Sequence, residues 1–495
     1  MNMSLRGVAG QTAMYGISSI VARMLNYLLT PYLTRVLTGE EYGVVTGMYA
    51  VIPFALVALT MGLETGYFRF SGLSRTEGER RALFSSTWGA VLVAAVVFAV
   101  VASCFASRLA PAMGYGDHPS FVWIVACVIA VDVAGSIPFC RLRARGDAKR
   151  FVMLKIISVM VNAALCVFFY SALPLLAAGG GWISRAWDAS FMPGYVFVAN
   201  LVASVVTFAL LCRSRDVARP GLSWRVLRPV LVYSAPLLAG GIAGTANEFI
   251  DRLMIEYLMP ADVALSTLGV YGAVVKIGVI LPLFVQVYRY ALEPYLLSGF
   301  QREEFGRVNA AAMKYFMIVA SGLFLVITLF ADLFALLLGK EFREGMKILP
   351  LVLASNILSG VVFNLSFWYK QANRTVFGIA ITMTGLVFTI LFGILLVPTL
   401  GYTGAAITRL ACEVAMVIAS YALNRRYYPV PYDLRRIGEH ALVCGMLVGA
   451  GLLARDLADV ARYPLNALLC GIFFLYATRR EGIQVISLLK SIMKK

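Results

Sequence analysis

The stretch from Pro229 to Pro260, PVLVYSAPLLAGGIAGTANEFIDRLMIEYLMP, is apolar at both ends and charged in its middle. Asn247 and Asp251 stand four residues apart, as do Glu248 and Arg252, with Glu256 one step further. At helical pitch they form one polar stripe on a greasy rod, about thirty residues long and able to cross a bilayer. Ionisable groups in hydrocarbon are costly unless paired or facing water, so the stripe must turn toward protein or a wet cavity. Similar steps recur: Thr12, Ser19, Arg23, Asn26 and Thr30; Lys155, Ser158 and Asn162; Asn200, Ser204 and Thr207; Lys276, Gln286, Arg289 and Glu293; Asn356 and Ser359. The cations Arg23, Arg252, Lys276, Arg289 and Lys155, with Asn26, suit binding of an anionic group. Phosphate or pyrophosphate fits, because a guanidinium offers forked donors to such oxygens. Glu64, Asp132, Glu248 and Asp251 are candidates for coupling to a proton or sodium ion.

Structural roles compete for the same residues. Arg409–Glu413 and Arg289–Glu293 have the spacing of pairs that neutralise each other, and Glu248–Arg252–Glu256 that of a ladder. Lys314 is placed to snorkel, and Asn, Ser and Thr stripes also glue helices together. Arg23, Arg252 and Lys276 fit these roles least; Arg23 has no acidic residue one turn away. Enzyme chemistry finds no support: His118 and His440 are the two histidines, and HExxH, Walker and serine-elbow patterns are missing. The eight cysteines lie in apolar runs without a CxxC pair, as small buried hydrophobes, not metal ligands. No catalytic residue, metal or organic cofactor is expected.

These residues need membrane-spanning helices to hold them. With 495 residues, 60% hydrophobic and 14% charged, at a mean hydropathy of +0.81, the chain reads as an all-α polytopic membrane protein. Apolar runs at 10–36, 43–70, 82–107, 119–140, 151–178, 190–212, 230–259, 268–297, 313–338, 349–371, 377–398, 404–424, 438–455 and 464–478 predict about fourteen transmembrane helices. Several spans are expected to be broken by Pro or Gly, among them those with Pro53, Pro138, Pro236 and Pro282. The net charge of +17 is divided among short loops, which disfavours nucleic acid as a partner. About 27 of the 43 basic residues fall on one side, predicting that both termini are cytoplasmic. A shift of 229 residues lays Arg23 on Arg252, Pro31 on Pro260, Tyr42-Gly43 on Tyr271-Gly272, Pro53 on Pro282 and Glu64 on Glu293. The chain therefore divides into an N-terminal six-helix lobe (1–212), a basic cytoplasmic linker (213–229), a parallel-repeat second lobe (230–424), two extra helices (425–478) and an interfacial tail (479–495). Facing cations in the two lobes would line a cavity between them.

The runs NYLLTPYLTRVLTGEEYGVV (26–45), IDRLMIEYLM (250–259), GVYGAVVKIG (269–278) and YALEPYL (290–296) resemble the polysaccharide-transporter branch of the multidrug/oligosaccharidyl-lipid/polysaccharide exporter superfamily. These are Wzx-like O-antigen flippases, and the likeness covers essentially the whole chain. It implies a flippase in the bacterial inner membrane, carrying a polyprenyl-pyrophosphate-linked oligosaccharide from inner to outer leaflet by alternating access. The bilayer and other polysaccharide-assembly proteins would be its partners. A peptidoglycan lipid-precursor flippase shares these features. A multidrug/cation antiporter usually lacks the extra helices and needs an acidic cavity. A polysaccharide polymerase or ligase would need an outer loop larger than the dozen residues of 179–190.

Overall fold

The computed structural model describes residues 24, 27–116, 118–179, 187–213, 219–296, 302–372 and 374–482. Arg23, Asn26, most of the first expected span, part of the 179–190 loop, part of the linker and nearly all of the tail lie outside the described residues. Among the described residues there are helices and turns and no strand. Twelve helices are long and apolar enough to cross a membrane, and the pair Ala261–Ile277 and Ile280–Tyr290 passes the same test as one broken span. With the partly described first helix, these account for every apolar run read from the sequence. The chain is a multi-pass helical membrane protein.

Two compact units emerge. The first comprises residues 1–276, 338–344 and 379–412. It holds α1 (27–36), α2 (Gly39–Thr60), α3 (Leu63–Leu73), α4 (Glu77–Cys104), α5 (Ala106–Ala112), α6 (Pro119–Ala144), α7 (Ala148–Val167), α8 (Leu173–Ala178), α9 (Met192–Cys212), α10 (Trp224–Leu258) and α11 (Ala261–Ile277, to residue 276). The second comprises 277–337, 345–378 and 413–495. It holds α12 (Ile280–Leu296), α13 (Arg302–Leu329), α14 (Ala331–Ala335) and α15 (Leu349–Gln371). Residues 379–412 of α16 (Val376–Leu400) and α17 (Tyr402–Tyr427) belong to the first unit; α18 (Leu434–Leu453) and α19 (Asp459–Arg480) to the second.

Polar caps fix where the helices begin. Thr38 opens α2 with a capping box, its hydroxyl accepting from Glu41 N at 3.3 Å while Glu41 Oε2 accepts from Thr38 N at 2.8 Å. Thr76 and Glu79 repeat the device at α4, and Asp147 and Asp433 cap α7 and α18. In the first unit α6 is central, packed by α4 and α9. Exposed Val93, Val96, Val97 and Val100 give α4 an apolar outer face suited to lipid.

The span holding Pro282 is broken as expected, by a 47° bend between Ala261–Ile277 and Ile280–Tyr290, whereas the other three prolines lie inside continuous helices. Helix α2 runs through Pro53, α6 through Pro138 and α10 through both Pro229 and Pro236. The second span breaks instead at Met61 and Gly62, both left-handed, with φ of 51° and 68°. Gly62 takes that conformation without steric cost; Met61 is the one non-glycine with positive φ among the described residues. The fifth span contains a wide turn at Phe168–Ala172, an insertion of the kind often found beside functional sites.

Candidate functional site

The break at Met61–Gly62 starts a new helix with Glu64 in its first turn. Glu64 there lines a cavity of about 590 Å³ enclosed by the α2–α3 junction, α6, α7, α9 and α10, all within the first unit. Asp132 and Arg143 enter it from α6, Lys155 and Ser158 from α7, and Asn200, Ser204 and Thr207 from α9. Lys155 faces both carboxylates, Asp132 and Glu64. Its Nζ lies 4.4 Å above the Phe139 ring, so a cation–π contact steadies an ammonium that no single acid claims. Ser204 reaches Asp132, Arg143 faces Glu64, and Asn200 Nδ2 donates to Tyr49 Oη at 3.3 Å.

Lys155, Glu64 and Asp132 were each expected from the sequence, and the fold brings these three together. One signal went unread. Arg143 counts in the sequence as one basic residue of RLRARGDAKR, yet α6 continues to Ala144 and carries it to the cavity. The polar stripes of α7 and α9 suited packing equally well, but here they face a hollow.

Asp251, Arg252 and Glu248 stand apart from this cavity on α10. Asp251, 2% exposed, accepts from the Tyr271 hydroxyl, from Arg252 N at 2.8 Å and from Arg252 Nη1 at 3.1 Å. Arg409 Nη1 stands 3.8 Å away. The stripe is therefore not the Glu248–Arg252–Glu256 ladder considered above. Arg252 folds onto its chain neighbour and onto Glu248 O at 2.8 Å, while Glu256 accepts from the Tyr115 hydroxyl. Burial and the Glu256 charge push the Tyr115 phenol well above its usual range, keeping it a donor. Glu248 is exposed. Lys276 Nζ donates to Tyr42 Oη at 2.9 Å.

Tyr42 and Tyr271, matched by the 229-residue shift, thus serve one cation and one anion. Their neighbours Gly43 and Gly272 make the close approach of α2 and α11. A Cβ on Gly43 would fall 1.9 Å from Leu265 O, and one on Gly272 2.5 Å from Thr46 Oγ1. In the second unit Arg289 covers Phe363 at 4.6 Å, and Glu293 pairs with Lys370 at 3.0 Å. The Arg289–Glu293 pair allowed by spacing is replaced by these two contacts. No group of three metal-ligating side chains occurs among the described residues.

Residues 8–300 match the family model described as polysaccharide biosynthesis protein. No curated protein matches the chain in sequence. The structure is similar to the lipid II flippase MurJ in an inward closed conformation, with TM-score 0.72, 13% identity and coverage of 94% of this chain and 99% of that one. A multidrug resistance MATE family transporter of the MOP superfamily, inward-facing, follows at TM-score 0.61, 15% identity, 82% and 94%. A MOP superfamily transporter from Pyrococcus furiosus, described by the reverse polarity of its binding pocket, gives TM-score 0.55, 14% identity, 84% and 95%. The resemblance read from the sequence agrees with this fold. With more than half its length on the family model, the chain belongs to the polysaccharide biosynthesis protein family.

Proposed function

We propose that the protein is a flippase that carries a polyprenyl-pyrophosphate-linked oligosaccharide across the membrane by alternating access. The supporting observation is the cavity of about 590 Å³ that holds Lys155 and Arg143 beside Glu64 and Asp132 among spanning helices. Two cations facing two carboxylates are neutralised at rest. Binding of a proton or sodium ion to the carboxylates would leave the cations for a pyrophosphate. Asp251 is already shared by Arg252 and Arg409 and Glu248 is exposed and outside this cavity, so the coupling ion falls to Glu64 and Asp132. The test is export of surface polysaccharide at matched protein levels. Lys155→Gln and Arg143→Gln together should lower it at least about tenfold, the effect of losing one charged hydrogen bond. Unchanged export would remove the cavity from the mechanism.

A second reading is a peptidoglycan-precursor flippase, favoured by the similarity to MurJ over 94% of this chain. Rescue of cells depleted of their own lipid II flippase would select it; failure to rescue alongside lost surface polysaccharide in a deletion strain would select the first. Under either reading the protein sits in the inner membrane with both termini cytoplasmic.

A further inference from the structure

A second cavity, about 200 Å³, lies within the other unit where the end of α13 meets the end of α18 and the start of α19. Its rim carries Lys347, Arg455 and Arg462 against one carboxylate, Asp332. Arg462 Nη1 binds Asp332 Oδ2 at 2.9 Å and its Nη2 binds Asp459 Oδ1 at 2.7 Å, while Arg455 Nη2 stands 3.9 Å from Asp332 Oδ1. Three buried polar atoms of lining residues have no hydrogen-bond partner among the described residues: Thr328 Oγ1, Asn466 Oδ1 and Arg462 Nε. Thr328 and Asn466 are 5% and 2% exposed. Asn466 is locked, its Nδ2 donating to Leu329 O at 2.8 Å, which leaves Oδ1 as an acceptor. Buried groups of this kind are costly unless something satisfies them.

The unmet set is mixed. Arginine N–H groups ask for an anion, whereas Asn466 Oδ1 asks for a hydroxyl or amine, and Thr328 accepts or donates. The cavity stands at the ends of four candidate membrane spans, and the ends of a helix just long enough to cross the hydrocarbon are where head groups lie. Leu453 and Val460, each 89% exposed, lie in the adjoining helices, on apolar surface suited to an acyl chain. We propose that this cavity binds an anionic phospholipid head group carrying free hydroxyls, of the phosphoglycerol type. The phosphate would take Arg455 and Arg462, and the hydroxyls Asn466 and Thr328. Guanidinium groups hold phosphate oxygens through charge-assisted hydrogen bonds whichever face of the membrane they stand on. The site lies outside the cavity assigned to transport and stands independently of that assignment.

The experiment uses the full chain in detergent, titrated with short-chain phosphatidylglycerol, phosphatidylcholine of the same chains, and inorganic phosphate. Phosphatidylglycerol should bind roughly tenfold more tightly than phosphatidylcholine, and Thr328→Val with Arg455→Gln should erase that preference. Neither change removes a core contact: the Thr328 hydroxyl is unpartnered and the Arg455 side chain is 67% exposed. Arg455→Gln alone, checked for an unchanged melting temperature, should weaken phosphatidylglycerol binding about threefold or more. Equal binding of the two lipids, or a preference kept in the double variant, would overturn the proposal. Competition by inorganic phosphate at the same concentration as the lipid would assign a free anion and overturn it likewise.

Discussion

Asp251 and Asp132 are both carboxylates in spanning helices, yet their surroundings predict opposite responses to loss of charge. Asp251 is buried and neutralises Arg252 directly, with Arg409 close by. Asp251→Asn would remove the carboxylate that Arg252 folds onto and should destabilise the protein by about 3–5 kcal/mol, read as a lowered melting temperature in detergent. Asp132 lines the cavity of about 590 Å³, with room for its side chain to relax, so Asp132→Asn should shift stability by less than about 1 kcal/mol while impairing the proposed transport. If both variants melt alike, the distinction between a structural node and a functional cavity fails. The sequence named both residues without separating them. Helical spacing matches residues three and four apart, and a long arginine that bends back to residue i−1 escapes that rule. The tyrosines were equally hidden: Tyr42, Tyr115 and Tyr271 count among the hydrophobic residues of the composition, although each meets a charged residue through its hydroxyl.

At the scale of elements, the approach of α2 and α11 rests on missing side chains, as is usual where helices pack in lipid. Gly43→Ala would drive a methyl against the Leu265 carbonyl, a backbone atom that cannot step aside. It should cost about 1–3 kcal/mol, the range for overpacking. Gly272→Ala meets mainly the Thr46 side chain, so Thr46→Ala should restore much of its loss in a double variant and none of the loss at Gly43. Equal rescue of both would refute the assigned contacts. Gly62→Ala tests the break in the second span: a Cβ at φ 68° is strained and faces Ser234 O at 3.0 Å, giving a loss of about 1 kcal/mol or more in thermal unfolding. The spans themselves were legible because a run of about twenty apolar residues has few other fates. The break was not. Proline and glycine mark places where a helix is weakened, but α2, α6 and α10 absorb their prolines, and nothing in the sequence picks Gly62 out of 43 glycines as the one that breaks this span. Lys314 shows the same limit: expected to snorkel, it is claimed by Glu481 at the end of α19, a partner 167 residues away.

For the whole molecule, sidedness follows from which helix ends are basic. The macrodipole favours cations at every helix C-terminus, by about 0.3–1 kcal/mol each. The chain uses only some of them. Basic residues occupy the last turn of α6, α15, α17 and α19, whereas α4, α10, α13, α16 and α18 have none. If the spans alternate in direction, the first set ends on one face and the second on the other, a bias the dipole alone would not produce. Membrane insertion produces it by holding Lys and Arg in the cytoplasm. Alkaline phosphatase fused after Gly146, in the basic loop beyond α6, should therefore be inactive, and fused after Asp456, between α18 and α19, it should be active. A fluorescent protein that folds only in the cytoplasm should give the reverse at both sites. Phosphatase activity after Gly146 would invert the topology. It would also turn the end of the proposed transport cavity that carries Arg143 toward the outside, where a substrate made in the cytoplasm could not enter by that end.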